Sequence, residues 1–95
     1  MRRVRSHPGQ LLLAELQERR LSANQLALAL RVPSNRITAI LRGERSITAE
    51  TALRLGRYLG TGAMFWMNLQ TAYDLSRVNA LRGDLIEKEV PAPSP

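Results

Sequence analysis

Ser22 to Gly43 read SANQLALALRVPSNRITAILRG, a run that holds a helix start, a break, a second start and a stop. Ser22 and Gln25 stand in Ser-x-x-Gln spacing. This is a capping box, in which each side chain satisfies a first-turn amide that has no partner inside the helix. The helix so opened carries Leu26, Ala27 and Leu30 on one face and ends near Arg31. Pro33 interrupts it, because proline disfavours helical geometry in the preceding residue and has no amide hydrogen to donate. A new helix can begin at Pro33 or Ser34, run through NRITAILR and stop at Gly43, where glycine is free to take a positive φ. Two short helices joined by three or four residues, with Leu30 closing the first and Ile37 and Ile40 on the buried side of the second, outline a helix-turn-helix.

The flanking sequence adds three more helices. Pro8-Gly9 starts one at about Gln10, with Leu12, Leu13 and Leu16 inward, Glu15, Glu18 and Arg19 outward, and Leu21 as its close. Thr48 caps AETALRLGRYL, with Glu50 in the first turn, Ala52, Leu55 and Leu59 inward, and Gly60 as the stop. The fifth helix runs from about Ala63 to Ala80, after which RGDLIEKEVPAPSP loses periodicity and gains proline. Strand-like alternation is absent, so the expected fold is all-α: a five-helix, repressor-like domain. Its expected divisions are a basic leader at 1–7, the domain at 8–81 and a frayed, flexible tail at 82–95.

Composition narrows the function. Ninety-five residues with 44% apolar content suit one domain. With no cysteine and a single histidine, His7, neither a disulfide framework nor a Cys/His metal site can be assembled, and no cofactor is expected. No apolar run reaches the ~20 residues that cross a bilayer. The basic N-terminus lacks the apolar stretch of a signal peptide, so a cytoplasmic location without membrane association is expected. The net charge of +6 is uneven: residues 1–82 carry 13 arginines against five acids, whereas residues 83–95 carry −2. Arginine suits phosphates and guanine edges better than lysine does, which makes a polyanion the first partner to consider. Arginine-rich coding bias is the plain alternative.

The outward face of the second helix in the opening stretch sharpens that choice. Ser34, Asn35, Arg36, Thr38, Ala39 and Arg42 are short polar, small or guanidinium side chains with no bulky apolar member. Asn pairs bidentately with adenine and Arg with guanine; Ser and Thr suit several bases, and Ala or the Thr methyl meets thymine. Ser34, Asn35, Arg36, Thr38 and Ala39 are therefore the candidate base readers in double-stranded DNA. Arg42, Arg45 and Ser46, at or past the helix end, and Gln25 near the start of the preceding helix, are candidates for phosphate contact. Each also has a structural alternative: Ser34 as a cap, Thr38 bonded to the turn before it, Arg36 solvated.

SANQLALALRVPSNRITAILRGERSITAETALRLGRYLGT followed by FWMNLQTAYDL resembles the HigA-type antitoxins, including the VapI-like proteins, a branch of the Xre/Cro/repressor helix-turn-helix superfamily. The resemblance covers about residues 7 to 76 and includes His7-Pro8-Gly9 and the RGERSIT turn. It implies five helices, a homodimer on a palindromic operator in its own promoter, bacterial origin, and a RelE-like, mRNA-cleaving toxin partner of the HigB type. Arg31 departs from the glycine common at that turn, and Ala63-Met64 from the commoner Pro-Glu. The Arg2, Arg3, Arg5 leader is a third departure, with a DNA arm, a toxin contact and no function all open.

Three of the four aromatic residues fall between Phe65 and Tyr73. At 100° per residue, Phe65, Leu69, Ala72 and Tyr73 share one face with Trp66 at its edge, while Met64, Met67, Thr71, Leu75 and Val78 share the opposite one. The first face is expected to enter the core. The second is expected to be the dimer interface, because so small a chain has little left to cover it. Gln70 and Asp74 read as hydrogen-bonding helix residues and His7 as a solvated or packing residue. No nucleophile–base pair or carboxylate constellation points to an enzyme. Two alternatives to the antitoxin reading remain: a toxin-wrapping module with vestigial DNA binding, and a stand-alone phage-type regulator without a toxin.

Overall fold

A computed structural model describes residues 2–94; Met1 and Pro95, the outer ends of the expected leader and tail, lie outside the described residues. The chain forms α1 (Pro8–Arg19), α2 (Ala23–Leu30), α3 (Ser34–Leu41), α4 (Ala49–Leu59) and α5 (Ala63–Glu89), with no strand among the described residues. The Ser22–Gln25 capping box is complete: Ser22 Oγ accepts from the Gln25 amide at 3.0 Å, and Gln25 Oε1 accepts from the Ser22 amide at 2.8 Å. Thr48 Oγ1 accepts from the Thr51 amide and caps α4. Helix α1 begins at Pro8, two residues before the expected start, since proline at the first helical position gives up no hydrogen bond. Arg31 ends α2 in the left-handed region at φ 59°, a conformation costing about 1–2 kcal/mol without glycine.

The core gathers Leu12 and Leu16 of α1, Leu26, Ala27 and Leu30 of α2, Ile37 and Ile40 of α3, Ile47, and Ala52, Leu55 and Leu59 of α4, with Trp66 fully buried among them. Leu13, expected inward, is 43% exposed. It stands a single position from Leu12, and the leucines that α1 buries in the core are Leu12 and Leu16. Glycine allows two close approaches. A Cβ on Gly9 would lie 1.9 Å from the Ile40 carbonyl oxygen, and one on Gly56 would lie 2.2 Å from the Gly62 backbone. The start of α1 therefore seats on the end of α3, and α4 passes directly under the start of α5.

Two expectations about α5 are corrected. Trp66 and Gln70, four residues apart, are its buried side chains, and Phe65 is 41% exposed. The aromatic window is rotated by about one residue because Gln70 is drawn inward: its Oε1 accepts from the buried Ile47 amide at 2.8 Å. Gln70 Nε2 then donates to Asp74 at 3.0 Å. The helix also continues past Ala80 to Glu89, through the segment expected to fray. Arg2 clamps that extension from the leader, donating to Asn79, to Asp84 at 3.0 Å and to Glu87 at 2.8 Å. Gly83 leaves room for its guanidinium. The Arg5 amide donates to Ser76 Oγ at 2.8 Å, so the leader lies along α5.

Candidate nucleic-acid interface

Helix α3 turns Ile37 and Ile40 into the core and presents Ser34 and Asn35 outward, both exposed, with Arg36, Thr38 and Ala39 half-buried at the margins. The N-cap of α3 is Pro33, which has no capping side chain, so the Ser34 hydroxyl is not spent on the helix end. Thr38 Oγ1 donates to the Asn35 carbonyl at 3.2 Å. That bond uses the hydroxyl proton and leaves the oxygen lone pairs and the methyl group for another partner. Arg36 Nε is buried with no hydrogen-bond partner among the described residues. An unmade bond of this kind costs about 1–3 kcal/mol.

The capping box also prepares Gln25. Its Oε1 is held by the Ser22 amide, which leaves the amide NH2, a pure donor suited to a phosphate oxygen, on the exposed side of α2. Arg42, Arg45 and Ser46 follow α3 in an exposed turn. Among the described residues the ion pairs involve Arg2, Arg19 and Arg54 and leave Arg42 and Arg45 unpaired. The arginines beside α3 thus have no carboxylate partner among the described residues, whereas Arg19 and Arg54 are held by Glu15 and Glu50 one helical turn away. The structure therefore brings the outward α3 side chains, Gln25 and the Arg42–Ser46 turn around the helix-turn-helix.

The second expected surface lies on α5. Met64, Thr71, Leu75 and Val78 are exposed, and Met67 is partly buried against the core. The 3-and-4 spacing of this stripe continues through Leu81 and Leu85, both exposed. These two fall beyond the expected helix end at Ala80 and so were missed; the same spacing counted on from Val78 would have found them. No helix among the described residues is long and apolar enough to cross a membrane.

The helix-turn-helix family model matches residues 12–66, which includes α2, α3 and α4. The chain is 56% identical over 70 residues to virulence-associated protein I of Dichelobacter nodosus, covering 73% of this chain and 65% of that relative's length. Among solved structures it is similar to an addiction module antidote protein of a HigA family from Coxiella burnetii, with 51% identity and a TM-score of 0.91. That match covers 96% of this chain and 100% of the other. It is also similar to the Pseudomonas aeruginosa antitoxin HigA, solved with the higBA promoter, at 43% identity and a TM-score of 0.91, covering 94% and 98% of the two chains. The chain belongs to the helix-turn-helix family, as a HigA-type member.

Proposed function

We propose that this chain is a DNA-binding antitoxin that pairs as a homodimer, represses its own promoter and neutralises a RelE-like, mRNA-cleaving toxin of the HigB type. The observation that carries the reading is the α3 face, where side chains able to match base edges stand beside arginines that have no carboxylate partner among the described residues. Ser34, Asn35, Arg36, Thr38 and Ala39 read bases in the major groove. Gln25, Arg42, Arg45 and Ser46 meet phosphates and set the register of the helix. The stripe Met64, Met67, Thr71, Leu75 and Val78 joins two copies, so that two α3 helices about 34 Å apart address successive turns of one operator. The relative solved on a promoter, alike along nearly its whole length, supports this arrangement.

The toxin half of the proposal is tested by co-expression with the product of a small basic reading frame beside this gene. Co-purification of the two products and rescue of growth are expected. Undiminished toxicity with no complex would leave a stand-alone regulator.

A further inference from the structure

His7 is buried, and the DNA reading above gives it no part. Its Nδ1 accepts from the Gly9 amide at 2.9 Å and caps α1. Its ring stands edge-on to Tyr73 of α5, with centroids 4.9 Å apart and an interplanar angle of 70°. The Arg45 backbone acts on the imidazole from the side of the turn and favours its charged form. Gly43, at φ 75°, closes the remaining side, where a Cβ would sit 3.7 Å from the ring. One side chain thus touches the start of α1, the turn from Gly43 to Ser46, and α5. Gln70, by accepting from the Ile47 amide, fastens the far end of the same turn to α5.

We propose that His7 is a positioning residue for nucleic-acid binding: it holds the Gly43–Ser46 turn where Arg45 and Ser46 meet phosphates, in fixed register with α5. This rests on the DNA reading above. An imidazole suits the task because the neutral ring offers one acceptor and one donor on opposite sides. With Nδ1 accepting from Gly9, the proton sits on Nε2. Protonation of Nδ1 abolishes the cap.

The groups around the ring act on its charge in opposite senses. Burial disfavours the charged form and lowers the pKa, while the Arg45 backbone and Asp74 on α5 favour it. Tyr73 lies against the ring and carries Arg77 over its own face, and the first turn of α1 has no acidic residue. Because the folded-state pKa lies below the ordinary histidine value of 6.5, the unfolded chain binds more protons in that range. The His7 contribution is therefore complete above about pH 6.5 and is lost as pH falls below it.

The test is His7→Asn, which keeps an oxygen to cap Gly9 but cannot also reach Tyr73 and Arg45. Amide exchange across Gly43–Ile47 is measured first, without DNA. Exchange about ten-fold faster is expected in the variant, with α1 still protected. In the wild type, protection of the turn should fall below about pH 6.5, and the variant should not show that dependence. Binding to a labelled duplex from the region upstream of the gene, against a scrambled duplex, is measured second. The variant is expected to bind about ten-fold more weakly, with the slope of log K against log[salt] smaller by about one or two, since Arg45 and its neighbours no longer reach the phosphates. Tyr73→Leu, which removes only the lateral support, should move both readouts in the same direction by less, and it serves if His7→Asn fails to fold. Wild-type exchange in the turn in both variants overturns the proposal. A wild-type protein that does not prefer the upstream duplex, with exchange still altered in the variants, overturns the DNA reading and leaves His7 holding the turn.

Discussion

Trp66→Ala is expected to lower the unfolding free energy by about 3–5 kcal/mol, the range for removing a large buried aromatic and leaving a cavity. Trp66, in the first turn of α5, is fully buried in the core, and its indole Nε1 donates to Thr61 Oγ1 at 2.9 Å. That bond ties the helix to the loop from which it emerges, so truncation removes packing and a loop anchor together. Domains of this size are stable by only about 5–15 kcal/mol, which makes the change a large share of the total. Urea unfolding followed by circular dichroism measures it, since the substitution removes the tryptophan that fluorescence would follow. Trp66→Phe should fall between, keeping most of the packing and leaving the Thr61 hydroxyl without its donor. An alanine variant within about 1 kcal/mol of wild type would show that the centre of the core lies elsewhere.

Leu75→Glu combined with Val78→Glu is expected to leave the fold intact, because both side chains are exposed, and to abolish the proposed pairing of two copies. Glutamates facing their symmetry mates across an apolar seam would be desolvated without partners, a cost that no small interface offsets. The consequence for DNA is large. Two linked recognition helices gain about 100- to 10,000-fold over one by effective concentration, so affinity for the upstream duplex should fall by at least about 100-fold. Sedimentation velocity reads the subunit state and fluorescence anisotropy the affinity. A variant that is monomeric yet binds as tightly as wild type would show that pairing plays no part in DNA binding. One that remains dimeric would move the interface off this stripe.

The helix-turn-helix was legible because its signals are local. The capping box at Ser22 and Gln25, the break at Pro33 and the stop at Gly43 depend on residues within a turn of one another, and each stands where the residue pattern puts it. The errors lie where distant residues decide. Trp66, not Phe65, faces the core because Gln70 is drawn to the Ile47 amide 23 positions away, and a helical wheel carries no record of that bond. Helix α5 outlasts Ala80 to reach Glu89, and along that extension Arg2, near the opposite end of the chain, bonds to Asn79, Asp84 and Glu87, partners that a local reading of the sequence does not bring together. Leu13 follows the apolar pattern but lies beyond the stripe that Leu12 and Leu16 fill. The chemistry of the α3 face could be read from residue types alone, since its outward positions follow from where Ile37 and Ile40 must go. The pairing of Arg19 and Arg54 with neighbouring carboxylates, against the freedom of Arg42 and Arg45 among the described residues, needed coordinates.

The central claim is that the outward side of α3 reads base sequence, and the direct measurement compares wild type with the Asn35→Ala, Arg36→Ala double variant on the upstream duplex and on its scrambled counterpart. Each bidentate pair removed is worth about 1–3 kcal/mol of discrimination. The expected result is that the double variant loses most of the preference for the upstream duplex while its binding to the scrambled one changes little, because the proposed phosphate contacts of Gln25, Arg42, Arg45 and Ser46 are untouched. A double variant that keeps the wild-type preference would contradict the claim.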